Sequence, residues 1–465
     1  MRLFSSTLLS LVLLGTLPTA CCSTTDSASN SCQGPGQTPT DPGGVQVTRI
    51  GGGELNAAGQ TWPYQLLRLE VPGRAATYAQ WFPPRKPGVS PTVMITKPYD
   101  GISWTGEAVD AKWASRGNGL HPDDSEPHHG PGSSPIAFTP TTPEIISGEA
   151  FVYLFHDFGV LAVFGRFYAG GDLQNDRDDM NAGMRFLAQA SNVDTTRIGV
   201  FGGSWGGYEA LYAAADAPAT VTPRVGVALS PLSDFAQEVD YVNRIVPSRV
   251  SDPAMRTRYQ QFFEPYFRRI FATTGGDPVT TSGTDYSRWD AAHLVDQVQT
   301  PFLILHDDWD TLIPVEHTRA LASLAPQRFT PLYFQNTGAV NWNTLAPDHG
   351  PTLAANGSVA ITLGVGHLLL KLGAAEQTLL IPHADGGVRA WLQGVRALQQ
   401  QDRDVRDVAP RLLELTDPRV QMFEATVGSV QPGAAFVAAQ VNAVWGTSFT
   451  DATIRAALEA GLPTP

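Results

Sequence analysis

Apolar and polar positions along this chain change period repeatedly. Runs that are apolar throughout, or that alternate by two, fall at 64–71, 78–82, 91–96, 160–164, 197–201, 225–229, 301–305 and 331–335. They are short and broken by turn residues, as at Pro72-Gly73 between the first two, so each predicts a strand. In other stretches apolar residues recur every three or four positions: 149–158, 178–190, 209–215, 315–325 and 359–372. That is the period of a helix with one buried face. Strands alternating with helices predict a mostly parallel sheet covered on both faces. The rhythm stops from 231 to about 292, where Tyr241, Tyr259, Phe262, Phe263, Tyr266, Phe267 and Phe271 crowd together, several of them three or four apart. Helices are expected there as well. Beyond a strand-like run at 379–381, the segments 390–400, 405–415, 434–444 and 451–462 have a helical and rather polar pattern.

One junction stands out chemically. The apolar run at 197–201 passes into Gly202-Gly203-Ser204-Trp205-Gly206-Gly207-Tyr208, and a helical stretch follows at once. Gly202, Ser204 and Gly206 spell G-x-S-x-G, the nucleophile elbow of α/β-hydrolases. The elbow forces the serine into a strained backbone conformation while strand and helix pass close on either side, so a Cβ at the flanking positions would clash. The hydroxyl is left at the top of the sheet, and the backbone N–H of Trp205, at the helix N-terminus, can face a developing oxyanion.

Gly-Gly-Ser204-Trp-Gly-Gly-Tyr resembles the elbow of the prolyl oligopeptidase family of serine hydrolases, whose design is shared by X-Pro dipeptidyl peptidases and cocaine-esterase-like acyl hydrolases. The resemblance runs from about Arg68 to about Leu372. It implies an α/β-hydrolase fold and a Ser-Asp-His triad in that chain order. Asp310 matches the family's aspartate: it lies four residues past His306 at a strand end and ahead of Ile313-Pro314. The matching histidine is His349, beyond the last core strand and next to glycine; His383, His367 and His317 are its rivals. Tyr99, in Pro98-Tyr99-Asp100-Gly101 after a strand, matches the tyrosine that supplies a second oxyanion donor in the acyl hydrolases; it reads equally as a turn tyrosine packed at a strand end. The aromatics at 231–292 fall where the fold carries a cap, either as cap packing or as the lining of a substrate pocket. The implied chemistry is an acyl-enzyme route that requires no cofactor and no metal. Peptidase comes first. An esterase is the alternative, favoured by the Pro-Tyr-Asp-Gly turn and by the lack of room for a β-propeller ahead of Arg68. A catalytically dead binding protein is the third reading.

Composition narrows this further. A net charge of −13 argues against nucleic-acid binding, so the expected partner is a small peptide or ester. The segment 104–146 is rich in Gly, Pro, Ser, His and acids and predicts a surface loop; His121, Asp123, Asp124, Glu126, His128 and His129 make a metal site conceivable there, though their spacing matches no helical metal motif. An apolar run at 3–17 behind Arg2 reads as a secretory leader. Pro18-Thr19-Ala20-Cys21 resembles a bacterial lipoprotein signal without its usual leucine three places before the cysteine. All three cysteines, Cys21, Cys22 and Cys32, lie in this front piece. The expected organisation is a leader at 1–20, a flexible tether at 21–45, an α/β-hydrolase domain at 46–385 with its cap at about 231–292, and a helical extension at 386–465. Export is expected, to the cell envelope with membrane contact only through a lipid on Cys21, or otherwise to the periplasm or outside.

Overall fold

The computed structural model describes residues 44–57, 60–98, 100–104, 109–113, 153–154, 156–167, 171–277, 280–281, 284, 286–308, 310–335, 342, 354–375, 411–412, 438 and 442–453. The leader and most of the tether lie outside these residues, as do most of the 104–146 insertion, half of 149–158, and the run at 379–381.

A mixed sheet forms the body. Its strands are β1 (Gln46–Ala57), β2 (Gln60–Glu70), β3 (Thr77–Phe82), β4 (Ser90–Lys97), β7 (Gly159–Phe164), β8 (Val193–Gly203), β9 (Val225–Leu229), β10 (Phe302–Asp307), β11 (Phe329–Gln335) and β12 (Arg411–Leu412). They lie in the order β1-β2-β3-β7-β4-β8-β9-β10-β11-β12. From β7 to β11 all neighbours run parallel, while β1, β2 and β3 pair antiparallel and bring β3 antiparallel onto β7. A separate hairpin, β5 (Asp100–Trp104) with β6 (Val109–Trp113), leaves the end of β4.

Both faces of the parallel part are covered, as its apolar runs require. On one face Met94, Val163, Val200, Ala228 and Ile304 share a core with α1 (Leu173–Gln189), α2 (Trp205–Ala215) and α6 (Glu316–Leu324), through Met180, Met184, Leu187, Ala210, Leu211 and Leu321. Strand side chains alternate, so Phe201, Val227 and Leu305 point the other way, where α7 (Ala354–Lys371) brings Gly364 against them. Between β9 and β10 the chain builds the cap. It runs through α3 (Phe235–Asp240), a wider turn at Tyr241–Ile245, α4 (Val246–Arg249) and the long α5 (Pro253–Thr274). The sheet order and its helices are those of the α/β-hydrolase fold.

Three elements depart from the sequence expectation. β1 was not anticipated, because Gly51-Gly52-Gly53 erases the side-chain alternation; a Cβ on Gly52 would collide with the Tyr64 carbonyl of β2. The 104–146 segment does not begin as a plain loop, since its first residues belong to the β5–β6 hairpin. The helical expectation over 405–415 is corrected at Arg411–Leu412, which pair antiparallel with Gln335 and Phe334 of β11. Residues 411–412 therefore join the main sheet. Trp445 also docks on α7, where Nε1 donates to the Leu363 carbonyl at 3.1 Å and the indole fills the space left by Gly366.

Candidate active site

Position follows from topology. After β4 the chain crosses to β7 on one side, then through α1 to β8 on the other, so β4 lies at the point where the winding reverses. Loops diverge there, and the crevice beyond the strand ends is where such folds bind ligands. Ser204 stands at the end of β8, next to that point. Its φ of 56° and ψ of −123° lie where residues with a Cβ rarely go, a strain of about 1–3 kcal/mol that only a well-determined surrounding holds. The Ser204 N–H donates to the Leu229 carbonyl at 2.7 Å, and its carbonyl accepts the Tyr208 N–H at 3.2 Å. The serine side chain does not cap α2.

The glycines are explained by crowding. A Cβ on Gly202 would run into the Gly206 carbonyl and the Thr96 hydroxyl, and one on Gly206 would come within 2.7 Å of that hydroxyl. Thr96, on β4, donates to the Gly206 carbonyl at 2.7 Å and so ties the end of β4 to the first turn of α2. A Cβ on Gly207 would approach Pro231 to 3.0 Å.

Trp205 is the first residue of α2, so its N–H is among the helix donors that have no acceptor within the helix. Its indole is buried, stacked on Phe167 at 4.3 Å between centroids, and donates through Nε1 to Asp176 Oδ2 at 2.7 Å. Asp176 Oδ1 accepts the Phe167 N–H at 2.7 Å. Two more acids are buried beside it. Asp179 is forked by Arg166, with Nε 2.8 Å from Oδ1 and 2.9 Å from Oδ2, and accepts the Thr77 hydroxyl at 2.6 Å. Glu209 fits against Gly165, whose missing Cβ leaves it room. Burial pushes Asp176 up to about 6 against the pull of its N–H donors, and Asp179 up to about 7 against that of Arg166. Burial, followed by the charges of Asp176 and Asp179, raises Glu209 well above the usual carboxylate range. Among the described residues Glu209 has neither the cationic partner nor the N–H donors of its neighbours, so nothing offsets the burial that favours its neutral form.

Asp310 follows β10, two strands over from the elbow. Its carboxylate is buried and held: Oδ1 accepts the N–H groups of Leu312 at 3.0 Å and Ile313 at 2.9 Å. His306, within β10, braces the same turn; Nε2 lies 2.8 Å from the Ile313 carbonyl and 3.6 Å from Asp310 Oδ2, and Nδ1 lies 2.6 Å from the Thr318 hydroxyl. Tyr241 of the cap donates to the Thr311 carbonyl at 3.1 Å. Cap and elbow are packed as one unit, for Tyr241, Phe263, Tyr266, Phe267 and Ile313 share a core cluster with Trp205 and Tyr208. Packing thus accounts for those aromatics; the Phe262 side chain lies outside the described residues.

Of the expected site, the structure describes Ser204, Trp205 and Asp310. Tyr99, His349 and His383 lie outside the described residues; the end of β4 before Tyr99 does not, and Pro98 Cδ is 3.4 Å from where a Cβ on Gly206 would stand. His317 has both ring nitrogens engaged, Nε2 with Glu238 Oε2 at 3.0 Å and Nδ1 with the Ser233 N–H at 3.3 Å, and burial lowers it to about 4. His367 sits in α7, lowered to about 4 by burial and then by Lys371. The sequence reading missed Thr96, Asp176 and Glu209. For Asp176 a signal existed: with Leu173 and Met180 it falls on the inward face of α1, where an acid needs a reason.

The stretch from β7 through the elbow to the start of the cap, residues 164–242, matches the model of the prolyl oligopeptidase family. This is the fold and the elbow of a serine hydrolase. No curated protein matches the chain. Similar solved structures include a puromycin-hydrolyzing peptidase of Mycobacterium tuberculosis, at 14% identity and TM-score 0.44, covering 71% of this chain and 46% of that one. Dipeptidyl peptidase 4 of Porphyromonas gingivalis is similar at 16% identity and TM-score 0.37, covering 58% and 32%. Acetyl xylan esterase 1 of Thermoanaerobacterium sp. JW/SL YS485 is similar at 16% identity and TM-score 0.33, covering 61% and 79%. The chain thus spans about half the length or less of the two peptidases.

Proposed function

We propose that this protein hydrolyses acyl compounds through a covalent acyl-enzyme, as a prolyl oligopeptidase-type peptidase acting on short peptides. Ser204 attacks the substrate carbonyl. His349 takes the serine proton and returns it to the leaving group, while Asp310 orients the imidazole and stabilises its charged form. The Trp205 N–H and the Tyr99 hydroxyl hold the tetrahedral oxyanion. Water then releases the acyl group by the same route. The observation that carries this is the elbow: a serine at φ 56°, between glycines that tolerate no Cβ, at the end of a strand beside the winding reversal. In this reading the protein is exported and tethered to the membrane by a lipid on Cys21, and it binds neither nucleic acid nor a cofactor.

An acyl esterase is the second reading, favoured by the Pro98-Tyr99-Asp100-Gly101 sequence directly after β4. Two measurements test the pair. A fluorophosphonate should label the protein at Ser204, and Ser204→Ala should fold normally yet lose labelling and hydrolysis together; label at another serine removes the assignment, and no label at all leaves a binding protein on a hydrolase fold. Then kcat/KM on short X-Pro and aminoacyl amides is compared with that on acyl esters. Amide turnover within about a hundredfold of ester turnover, some 3 kcal/mol of barrier, supports the peptidase; no amide cleavage leaves the esterase.

A further inference from the structure

Asp176 belongs to no triad, yet it grips Trp205, whose peptide N–H is the oxyanion donor of the proposed mechanism. Asp176 is 1% exposed, and its two oxygens hold two elements at once: Oδ2 the Trp205 indole at 2.7 Å and Oδ1 the Phe167 N–H at 2.7 Å. Phe167 is stacked on that indole, and its own carbonyl accepts from Arg269 of α5 at 3.2 Å. The same guanidinium donates to the Gly171 carbonyl at 2.9 Å, just before the Asp172 cap that starts α1. The indole is therefore fixed on its face by a ring and at its nitrogen by a carboxylate, and both of those are fixed in turn.

The peptide plane between Ser204 and Trp205 turns with ψ of Ser204 and φ of Trp205. Ser204 is strained at φ 56° and ψ −123°, and its carbonyl, in that same plane, accepts the Tyr208 N–H at 3.2 Å, which restrains the plane from one side. Rotation would swing the Trp205 N–H away from the oxyanion, where a donor must stay within hydrogen-bond reach to be useful. Anchoring the Trp205 side chain restrains its Cα and opposes the rotation. We infer that Asp176 is a positioning residue for the oxyanion hole, clamping the Trp205 indole so that the Trp205 peptide N–H stays aimed at the developing charge. This rests on the serine-hydrolase reading above and adds to it a residue that acts through Trp205 without touching substrate.

The test uses the full chain, with an acyl ester as substrate and a fluorophosphonate as probe. The probe's phosphorus bonds to Ser204 Oγ as fluoride leaves and the serine proton passes to the base, and its phosphoryl oxygen enters the same hole. Trp205→Phe keeps the ring stack and deletes the indole N–H. Asp176→Asn keeps the shape and sets an amide N–H against the indole N–H in one of its two orientations. Asp179→Asn removes a buried acid of the same group that does not touch Trp205. Expected are a fall of about tenfold or more in kcat and in the phosphonylation rate for the first two, with KM within about twofold, and a double variant Trp205→Phe/Asp176→Asn no slower than the slower single. Asp179→Asn should lower the unfolding midpoint and leave kcat near wild type. Folded variants of Trp205 and Asp176 that react at the wild-type rate overturn the inference, as does an Asp179→Asn loss equal to that of Asp176→Asn. A wild-type protein that takes no label at Ser204 overturns the hydrolase reading itself.

Discussion

At the scale of single residues, the site separates the histidines by what already occupies their nitrogens. His306 is spent on the Ile313 carbonyl and the Thr318 hydroxyl, and His317 on Glu238 and Ser233. A base for Ser204 needs one nitrogen facing the serine and the other facing Asp310, which neither can offer without breaking the packing around it. In the proposed mechanism His349 is the base, with His383 as its rival. Substituting His349, His367 and His383 one at a time by Gln should cost about a thousandfold or more in kcat/KM only at His349. A dead His383→Gln with an active His349→Gln would transfer the role. Asp310 was singled out in the sequence by its resemblance to the family segment, four residues past His306 and ahead of Ile313-Pro314. The geometry that holds its carboxylate, two peptide N–H groups from its own turn, was not.

At the scale of the element, α2 carries more than the elbow. One turn on from Trp205, Glu209 enters the core beside Asp176 and Asp179, where burial favours its neutral form. The linkage has a definite sign. In the unfolded chain Glu209 ionises near its ordinary 4.5, while in the fold burial holds it neutral. Below that pH both states carry the proton and nothing is lost. As pH rises above it, the unfolded state is favoured by about 1.4 kcal/mol per unit until the buried carboxyl ionises as well. Glu209→Gln cannot ionise in either state, so it should become progressively more stable than the wild type as pH rises above about 5 in urea unfolding. A difference that stays constant with pH would mean that Glu209 is charged in the fold. Gly165, across from it, makes room for that carboxyl, which is a fact of packing.

At the scale of the whole molecule, cap, elbow and the Asp310 turn are one packed body. Tyr241 ties the cap to the Asp310 turn, Arg269 ties it to the loop before α1, and Trp205 lies between them. The far end of the chain joins the same body through β12 and Trp445. For the front end, the proposal is export and a lipid on Cys21, from the apolar run at 3–17 and the Pro18-Thr19-Ala20-Cys21 sequence. Cys21→Ser should release the protein from membranes or block its processing, read by fractionation and by the mature N-terminal sequence. A mature N-terminus several residues from Cys21, on a soluble product, would remove the lipid and keep the export.

The sequence by itself determined the parallel strands, the helices between them, the elbow and the position of Asp310. These are local signals, carried by apolar period, turn residues and fixed spacings within a few residues of each other. Only the tertiary structure decided what those residues meet. β1 is hidden by glycines that the sheet needs for close approach, and β12 is two residues long and exists only because β11 offers an edge. Thr96 under the elbow, the Asp176 clamp on Trp205 and the buried Glu209 join residues on separate strands and helices. Contacts between side chains far apart in the chain leave no periodicity to read, because each partner looks like an ordinary polar residue until the fold buries the two together.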